Sequence, residues 1–319
     1  MKRHFHKFVS LLERLTDIVT TEKLSRKCVH RINAGIPTNR FPCNPAFFFY
    51  GDEIRGIVRA INYKFNIYDI RIVPEEWRAD SAHDSVHYHV KITGDRAAIV
   101  NRIDDQQVRA NPLGANGIED IRVFTHNGGI YALGSLTAYS PALLNTMAVA
   151  EFDPVNGKCG YFHVLASPEQ RQQEKNWMPF IRDNEAYIVY KMNPLTIFKL
   201  QMGATGAGLG QKFVVPKSDA INDKYRGGTN MIAYKEGFLG LIHRNYQIRN
   251  KKFYKHAFLW ISGNFDGFKI SREFFFNHRG VEFATSLMAK NDKIYIGYGI
   301  RDQSAWLDCY DAGIVDRFF

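Results

Sequence analysis

Residues 117–135 read GIEDIRVFTHNGGIYALGS, and this stretch decides the fold. It opens on Glu119, Asp120 and Arg122, runs through Val123 and Phe124, and turns at His126-Asn127-Gly128-Gly129 before a second apolar run from Ile130 to Leu133. Asn-Gly-Gly between two such runs predicts a β-hairpin, because the primed turns that match strand twist need positive φ at their centre. The hairpin places Asp120, at the start of one arm, and Ser135, at the end of the other, together at its open end.

The unit recurs. Asn44 and Arg59 bracket NPAFFFYGDEIRGIVR, turning at Gly51-Asp52, and Asn176 and Lys191 bracket NWMPFIRDNEAYIVYK, turning at Asp183-Asn184. Gly228 and His243 bracket GTNMIAYKEGFLGLIH, and Ala284 and Gly299 bracket ATSLMAKNDKIYIGYG. The bracketing positions differ by the same 15 residues each time (59−44, 135−120, 191−176, 243−228, 299−284), and successive openings lie 76, 56, 52 and 56 apart. Hairpins repeated at this spacing predict an all-β fold, a five-bladed β-propeller over 40–319 whose polar openings gather around one axis.

Residues 1–39 read differently. Phe5, Phe8, Val9, Leu12, Leu15 and Val19 recur at helical spacing, and Leu24, Val29 and Ile32 continue the pattern on a second helix ending near Gly35. This predicts an N-terminal helical arm packed on the propeller, with a basic face suited to an anionic surface.

A net charge of +10 and a pI near 9.3 favour anionic partners such as nucleotide sugars and sugar phosphates; a nucleic acid partner is not expected. Cys28, Cys43, Cys159 and Cys309 form no CxxC pair, which excludes a disulfide framework and a zinc signature. No apolar run approaches the ~20 residues of a membrane span. Lys7, Glu13, Arg14 and Asp17 interrupt any secretory segment, so a cytoplasmic protein is expected. The insertion carrying His83, Asp84, His87 and His89 reads as surface histidines rather than a metal site. Gly203 to Gly210, GATGAGLG, lacks the Gly-Lys-Ser/Thr ending of a phosphate loop and reads as a mobile loop over the propeller face. No metal or cofactor is expected.

The five openings offer Asn44, Glu119, Asp120, Arg122, Lys175, Asn176, Thr229 and Glu282 to the axis, and the second arms add Arg59, Asn62, Ser135, Lys191, His243 and Asp302. Asp and Asn suit sugar hydroxyls, and Arg and Lys suit phosphates. Strand alternation sets Asp120 and Arg122 on one side and turns Glu119 into the blade.

In order along the chain stand Asn44-Pro45 with Arg59, Asn62 and Tyr63; Gly117 to Arg122; Glu174 to Phe180; Arg226 to Thr229 with His243; Tyr254 with His256; and Glu282-Phe283 with Tyr298, Gly299 and Asp302. This series resembles the five-bladed mannoside phosphorylases and hydrolases of glycoside hydrolase family 130, the related β-1,2-mannosyltransferases and the propeller modules of bacterial glycosyltransferases. The resemblance covers about Arg40 to Phe319. It implies that Asp120 is the proton-transfer residue, with Ile121 in place of the usual proline, and that Asp302 helps hold the sugar. It also implies an arginine after the second hairpin to clamp phosphate, where this chain reads LTAYSPALL.

The reading that results is an inverting glycosyltransferase moving a hexose, such as mannose, from a nucleotide-sugar or sugar-phosphate donor to a glycan acceptor. Asp120 is the general base. Arg59, Arg122, Lys175, His243 and Tyr254 receive the donor phosphate, and Asn44, Asn62, Asn176, Glu282 and Asp302 orient the sugar. The alternatives are an inverting mannoside hydrolase or phosphorylase in the same pocket, with Glu282 or Asp302 as second carboxylate, and a non-catalytic module binding glycans or anionic polymers.

Overall fold

The computed structural model describes residues 13, 16–24, 26, 28–32, 35–62, 64–65, 72–73, 84–94, 96–112, 116–136, 145–171, 173–203, 206–216, 224–248 and 251–319. The chain is all-β in a propeller-like arrangement of antiparallel meanders. The first sheet runs Phe41–Tyr50, Glu53–Ile61, Ser85–Thr93, Arg96–Arg102, and the second Ile118–His126, Gly129–Leu136, Thr146–Asp153, Lys158–Leu165. The third runs Met178–Arg182, Glu185–Met192, Leu195–Gly203, Gly206–Val214. A fourth, larger sheet is built on the long hairpin Gly237–Ile248 and Lys251–Ser262. The last is Glu282–Lys290, Lys293–Ile300, Ser304–Asp311, with Cys28–Ile32 on its outer edge.

The hairpin turns fold as their residues dictate. Asn127 and Gly128 (φ 48° and 78°), Asp183 and Asn184 (51° and 59°) and Asn291 and Asp292 (53° and 56°) all sit in the left-handed region a type I′ turn demands. Asn, Asp and Gly reach it at least cost.

Between one sheet and the next lies an apolar layer. Ala46, Phe48 and Ile57 of the first meet Ile121 and Val123 of the second. Phe124 and Leu133 meet Trp177 and Ile188 of the third, whose Phe180 and Val189 meet Phe238 and Leu259 of the fourth. Leu241 and Phe258 then pack on Leu287 and Ile296 of the last sheet, and its Met288 and Leu307 pack back on Phe47 and Val58 of the first. Each large side chain so buried contributes ~1.5–3 kcal/mol.

Three expectations change. The second helix expected through Val29 and Ile32 is instead the strand Cys28–Ile32, paired antiparallel to Ser304–Asp311 with Ile32 opposite Ala305. The edge of the last sheet attracts this segment because its unpaired backbone groups are satisfied by pairing. Of the arm, Phe5, Phe8, Val9, Leu12 and Leu15 lie outside the described residues, while 16–20 are helical. The glycine-rich stretch, apart from residues 204–205, forms the facing arms of a hairpin on the outer side of the third sheet, with Gly203 opposite Gly206. His87 and His89 are buried, not on the surface, because Ser85–Thr93 is an interior strand with His87 directly opposite Arg59. His83, Tyr63 and most of LTAYSPALL fall outside the described residues.

Candidate active site

Three of the expected openings depart from regular strand geometry in the same way. Asn44 (φ 42°), Asp120 (φ 50°) and Asn176 (φ 65°) adopt left-handed backbone. Around the first two the ladder slips, between Cys43 and Ala46 and between Leu133 and Ser135. A bulge of this kind re-aims a side chain that the pleat would otherwise send to a sheet face. Here it turns Asn44 and Asp120 toward each other across the two sheets, with Asn44 Nδ2 donating to Asp120 Oδ1 at 2.8 Å.

The same bulge corrects the placement of Glu119. Alternation is broken at Asp120, so neighbouring carboxylates share one partner: Arg59 Nη2 donates to Glu119 Oε1 at 2.6 Å and Nη1 to Asp120 Oδ1 at 3.1 Å. Arg59 Nε donates to Ser85 Oγ at 2.9 Å. Lys175 Nζ lies 3.7 Å from Glu119 Oε2. Asp302 completes the group from the turn between the second and third strands of the last sheet, where its φ is 52°. Gly299, in the same sheet, allows that approach: a Cβ there would meet Asn44 Oδ1 at 2.3 Å and the Asn44 backbone nitrogen at 2.8 Å.

The two aspartates have opposite electrostatic settings. Burial pushes Asp120 up, but Arg59, Arg122, Lys175 and the Asn44 amide outweigh it and hold its carboxyl below the ordinary range. Asp302 is pushed up to about 6, first by burial and then by Asp120 and Glu119, against the pull of Arg59 and Asn44. One carboxylate is ionised at neutral pH and its neighbour keeps a proton to mildly acidic pH. A pair of carboxyl groups driven apart in this way marks sites of proton transfer.

The fourth sheet supplies an aromatic and basic wall. His243 stacks on Tyr254 with ring centroids 5.3 Å apart and meets the edge of Phe283 at 4.9 Å. Burial, then Arg122, Arg226 and Lys252, bring His243 down to about 3, so its imidazole is neutral. Its Nδ1 and the Oδ1 of Asn44 are buried with no hydrogen-bond partner. Lys252 lies over the Tyr254 ring at 5.0 Å, and both Asp302 and Asp120 act on the Tyr254 hydroxyl.

Other expected site residues have different surroundings. Arg122 is fully buried; its Nε donates to the Gly228 carbonyl at 2.8 Å, Nη2 to Asn176 Oδ1 at 3.2 Å and Nη1 to the Asp120 carbonyl. It ties the second sheet to the third and fourth, and Asn176 is its partner. Glu282 is fully buried and accepts the backbone N–H groups of Phe276 (2.9 Å), Asn277 (2.8 Å) and His278. Burial lifts it to about 7 against those donors. Asn62 Oδ1 accepts the Asp84 N–H at 3.0 Å, and Lys191 pairs with Glu169. Glu174 accepts from Trp177 Nε1 at 3.1 Å and Tyr190 at 3.0 Å, which explains the EKNW motif structurally.

Ser85 was not legible as a site residue, since only the pairing of the third strand brings it to Arg59. Cys43 lies buried opposite Arg59, near Asp302, Asp120 and Glu119. Among the described residues, no three His, Cys, Asp or Glu side chains converge as metal ligands would.

The backbone matches solved propeller enzymes along nearly its whole length. It superposes on the β-1,2-mannobiose phosphorylase of Listeria innocua with a TM-score of 0.60 at 15% identity, covering 91% of this chain and 98% of that one. For MPT-4, a mannose phosphorylase from Leishmania mexicana in complex with phosphate ion, the TM-score is 0.58 at 11% identity, covering 98% and 94%. A third structure represents glycoside hydrolases of family 130 that target β-1,2 mannosidic linkages in Candida mannan, with a TM-score of 0.60 at 12% identity, covering 92% and 97%. The fold is that of the family 130 mannoside phosphorylases. In sequence, the chain is 36% identical over 67 residues to β-mannosyltransferase 2 of Komagataella phaffii, a match covering 20% of this chain and 10% of that protein. No family model matches the sequence.

Proposed function

We propose that this chain is an inverting enzyme of β-linked mannosides that works by phosphorolysis, in the axial pocket of a five-bladed propeller. The fourth sheet counts as one blade whose innermost strand is broken into Arg226–Gly227 and Ile232–Tyr234. The break occurs where Asn230 leaves the ladder to bond the Leu287 carbonyl and N–H of the next sheet, each at 2.9 Å.

The observation that carries the reading is the Asp120 carboxylate, held ionised by Arg59 and hydrogen-bonded from a second sheet by Asn44. In synthesis it takes the proton of the acceptor hydroxyl as sugar transfers from α-mannose 1-phosphate. In cleavage Asp120, first protonated from solvent, gives that proton to the departing oxygen while phosphate attacks the opposite face. Direct displacement needs one proton-handling carboxylate and an external nucleophile, which accords with Glu119 being ion-paired to Arg59 and Lys175. Asp302, protonated below about pH 6, holds a sugar hydroxyl. Arg226 and Lys252 beside neutral His243 supply the positive potential for phosphate in place of the arginine expected after the second hairpin.

Incubation with β-1,2-mannobiose, with and without inorganic phosphate and followed by ³¹P and ¹H NMR, tests this. The expected product is α-mannose 1-phosphate, formed only with phosphate. Free α-mannose at the same rate without phosphate would make the enzyme an inverting hydrolase, and retention of the β-configuration would end the reading.

A second reading is transfer from a nucleotide sugar, favoured by the segment similar to a β-mannosyltransferase. It uses the same proton step at Asp120 and predicts turnover of GDP-mannose in the presence of a mannoside acceptor.

A further inference from the structure

Arg59 governs the ionisation of Asp120, yet a guanidinium on a long stem does not hold its own orientation. Two of its nitrogens face carboxylates that compete for it, Glu119 at 2.6 Å and Asp120 at 3.1 Å. Its third donor, Nε, is anchored on the Ser85 hydroxyl at 2.9 Å. Ser85 is buried and held at its backbone from two directions: its N–H donates to the Asn116 carbonyl at 3.1 Å, and its carbonyl accepts from Arg109 Nη2. Arg109 is held by Asp105 at 2.8 Å and Asp84 at 2.9 Å, and Asp84 also accepts from Arg40 at 2.6 Å.

Gly117, at φ 83°, lets the two segments close. A Cβ there would lie 2.4 Å from the Ser85 carbonyl and 3.0 Å from Arg109 Nη2. Two and three residues on are Glu119 and Asp120, so one close approach sets the distance between the anchor and both carboxylates.

We infer that Ser85, gripped by Arg109, is a positioning residue: it fixes the Arg59 fork so that one nitrogen stays on Asp120 instead of swinging wholly to Glu119. The inference rests on the reading of Asp120 as the group that handles the proton. Asp120 is faced by Arg59, Arg122, Lys175 and Asn44, by the acidic groups Asp302 and Glu119, by the neutral imidazoles of His87 and His243, and by Tyr254 and Cys43. Of the cations, Arg59 acts on it most strongly. Loosening the fork therefore weakens the strongest pull and leaves burial to raise the carboxyl.

The test is a ¹³C-carboxyl NMR titration of Asp120 in the full chain, for wild type, Ser85→Ala, Ser85→Thr and Arg109→Lys. Ser85→Ala and Arg109→Lys are expected to raise the Asp120 midpoint by about half to one pH unit. Ser85→Thr, which keeps the hydroxyl, restores the wild-type midpoint. In the synthetic direction, where Asp120 acts as base, the acid limb of kcat moves up by the same amount, with KM little altered. An unchanged Asp120 midpoint in folded Ser85→Ala overturns the inference; if that variant does not fold, an unchanged midpoint in Arg109→Lys does so. The titration needs no substrate, so a shifted midpoint in a protein inert to mannosides sinks the functional reading and leaves this one standing.

Discussion

At the residue scale, Asp120 and Asp302 are alike in chemistry and are set apart by what surrounds them. Replacing Asp120 with Asn keeps shape and hydrogen bonding while removing the group that carries the proton, and turnover of a mannoside should fall ~10²–10⁴-fold. Steady-state kinetics on Asp120→Asn and Glu119→Gln side by side checks the assignment. Glu119→Gln should also slow the enzyme, because Arg59 and Lys175 lose their common partner, but by less than Asp120→Asn. Asp302 makes a prediction about pH. Its carboxyl is raised from an ordinary 3.8 to about 6, so the folded state binds more protons than the unfolded chain between those values. The stability it contributes is complete below 3.8 and lost as pH rises through 6. Denaturant melts of Asp302→Asn across this window should show a shallower decline with rising pH than wild type; an identical slope would mean that the Asp302 carboxyl is not raised by its surroundings as described.

Single strands decide whether the site is assembled. The bulges at Asn44 and Asp120 exist because Asn and Asp tolerate left-handed backbone, and they turn two strand interiors into a shared polar point. Gly299 in the last sheet must stay bare for Asn44 to lie there. Gly299→Ala is therefore expected to lower turnover at least as much as it lowers stability, measured by kinetics and thermal melting on one preparation. The strand Cys28–Ile32 supplies the outer edge of the last sheet, and its Ile32 is buried with Val58 and Leu307. Ile32→Ala should cost ~2–5 kcal/mol in urea denaturation, as truncation in a packed core does. A loss under half a kilocalorie would place this strand outside the cooperative fold.

On the scale of the whole molecule, a site built from four different sheets depends on the sheets keeping their relative positions. Arg122 spans the second, third and fourth, and Thr285 and Ser286 of the last donate to the Pro45 carbonyl of the first at 2.9 and 3.1 Å. A ligand that bridges the axis should therefore stabilise the protein as a unit. Mannose 1-phosphate at a hundred times its dissociation constant is expected to add ~2.7 kcal/mol, read as a rise in melting temperature. Inorganic phosphate alone should give part of that rise, and high salt should diminish it by screening.

What the sequence determined by itself is the repeat. Hairpin chemistry at Asn127-Gly128, Asp183-Asn184 and Asn291-Asp292 is local, so the all-β fold, the sheet-by-sheet order and the opening positions at Asn44, Asp120 and Asn176 are legible in the sequence. Only the tertiary structure decided which polar residue does what. Arg122 and Glu282 occupy opening positions of the same kind as Asp120, but one became a tie across the axis and the other a clasp on backbone N–H groups, because their partners lie in distant segments. Glu119 reached the pocket through a bulge that alternation does not foresee, and Ser85 through strand pairing across an insertion. Cys28–Ile32 became a strand despite its helical spacing because its pairing partner lies at the other end of the chain. Local turn preference is written in adjacent residues; the ionisation of a carboxyl group is set by every charge that folding brings near it.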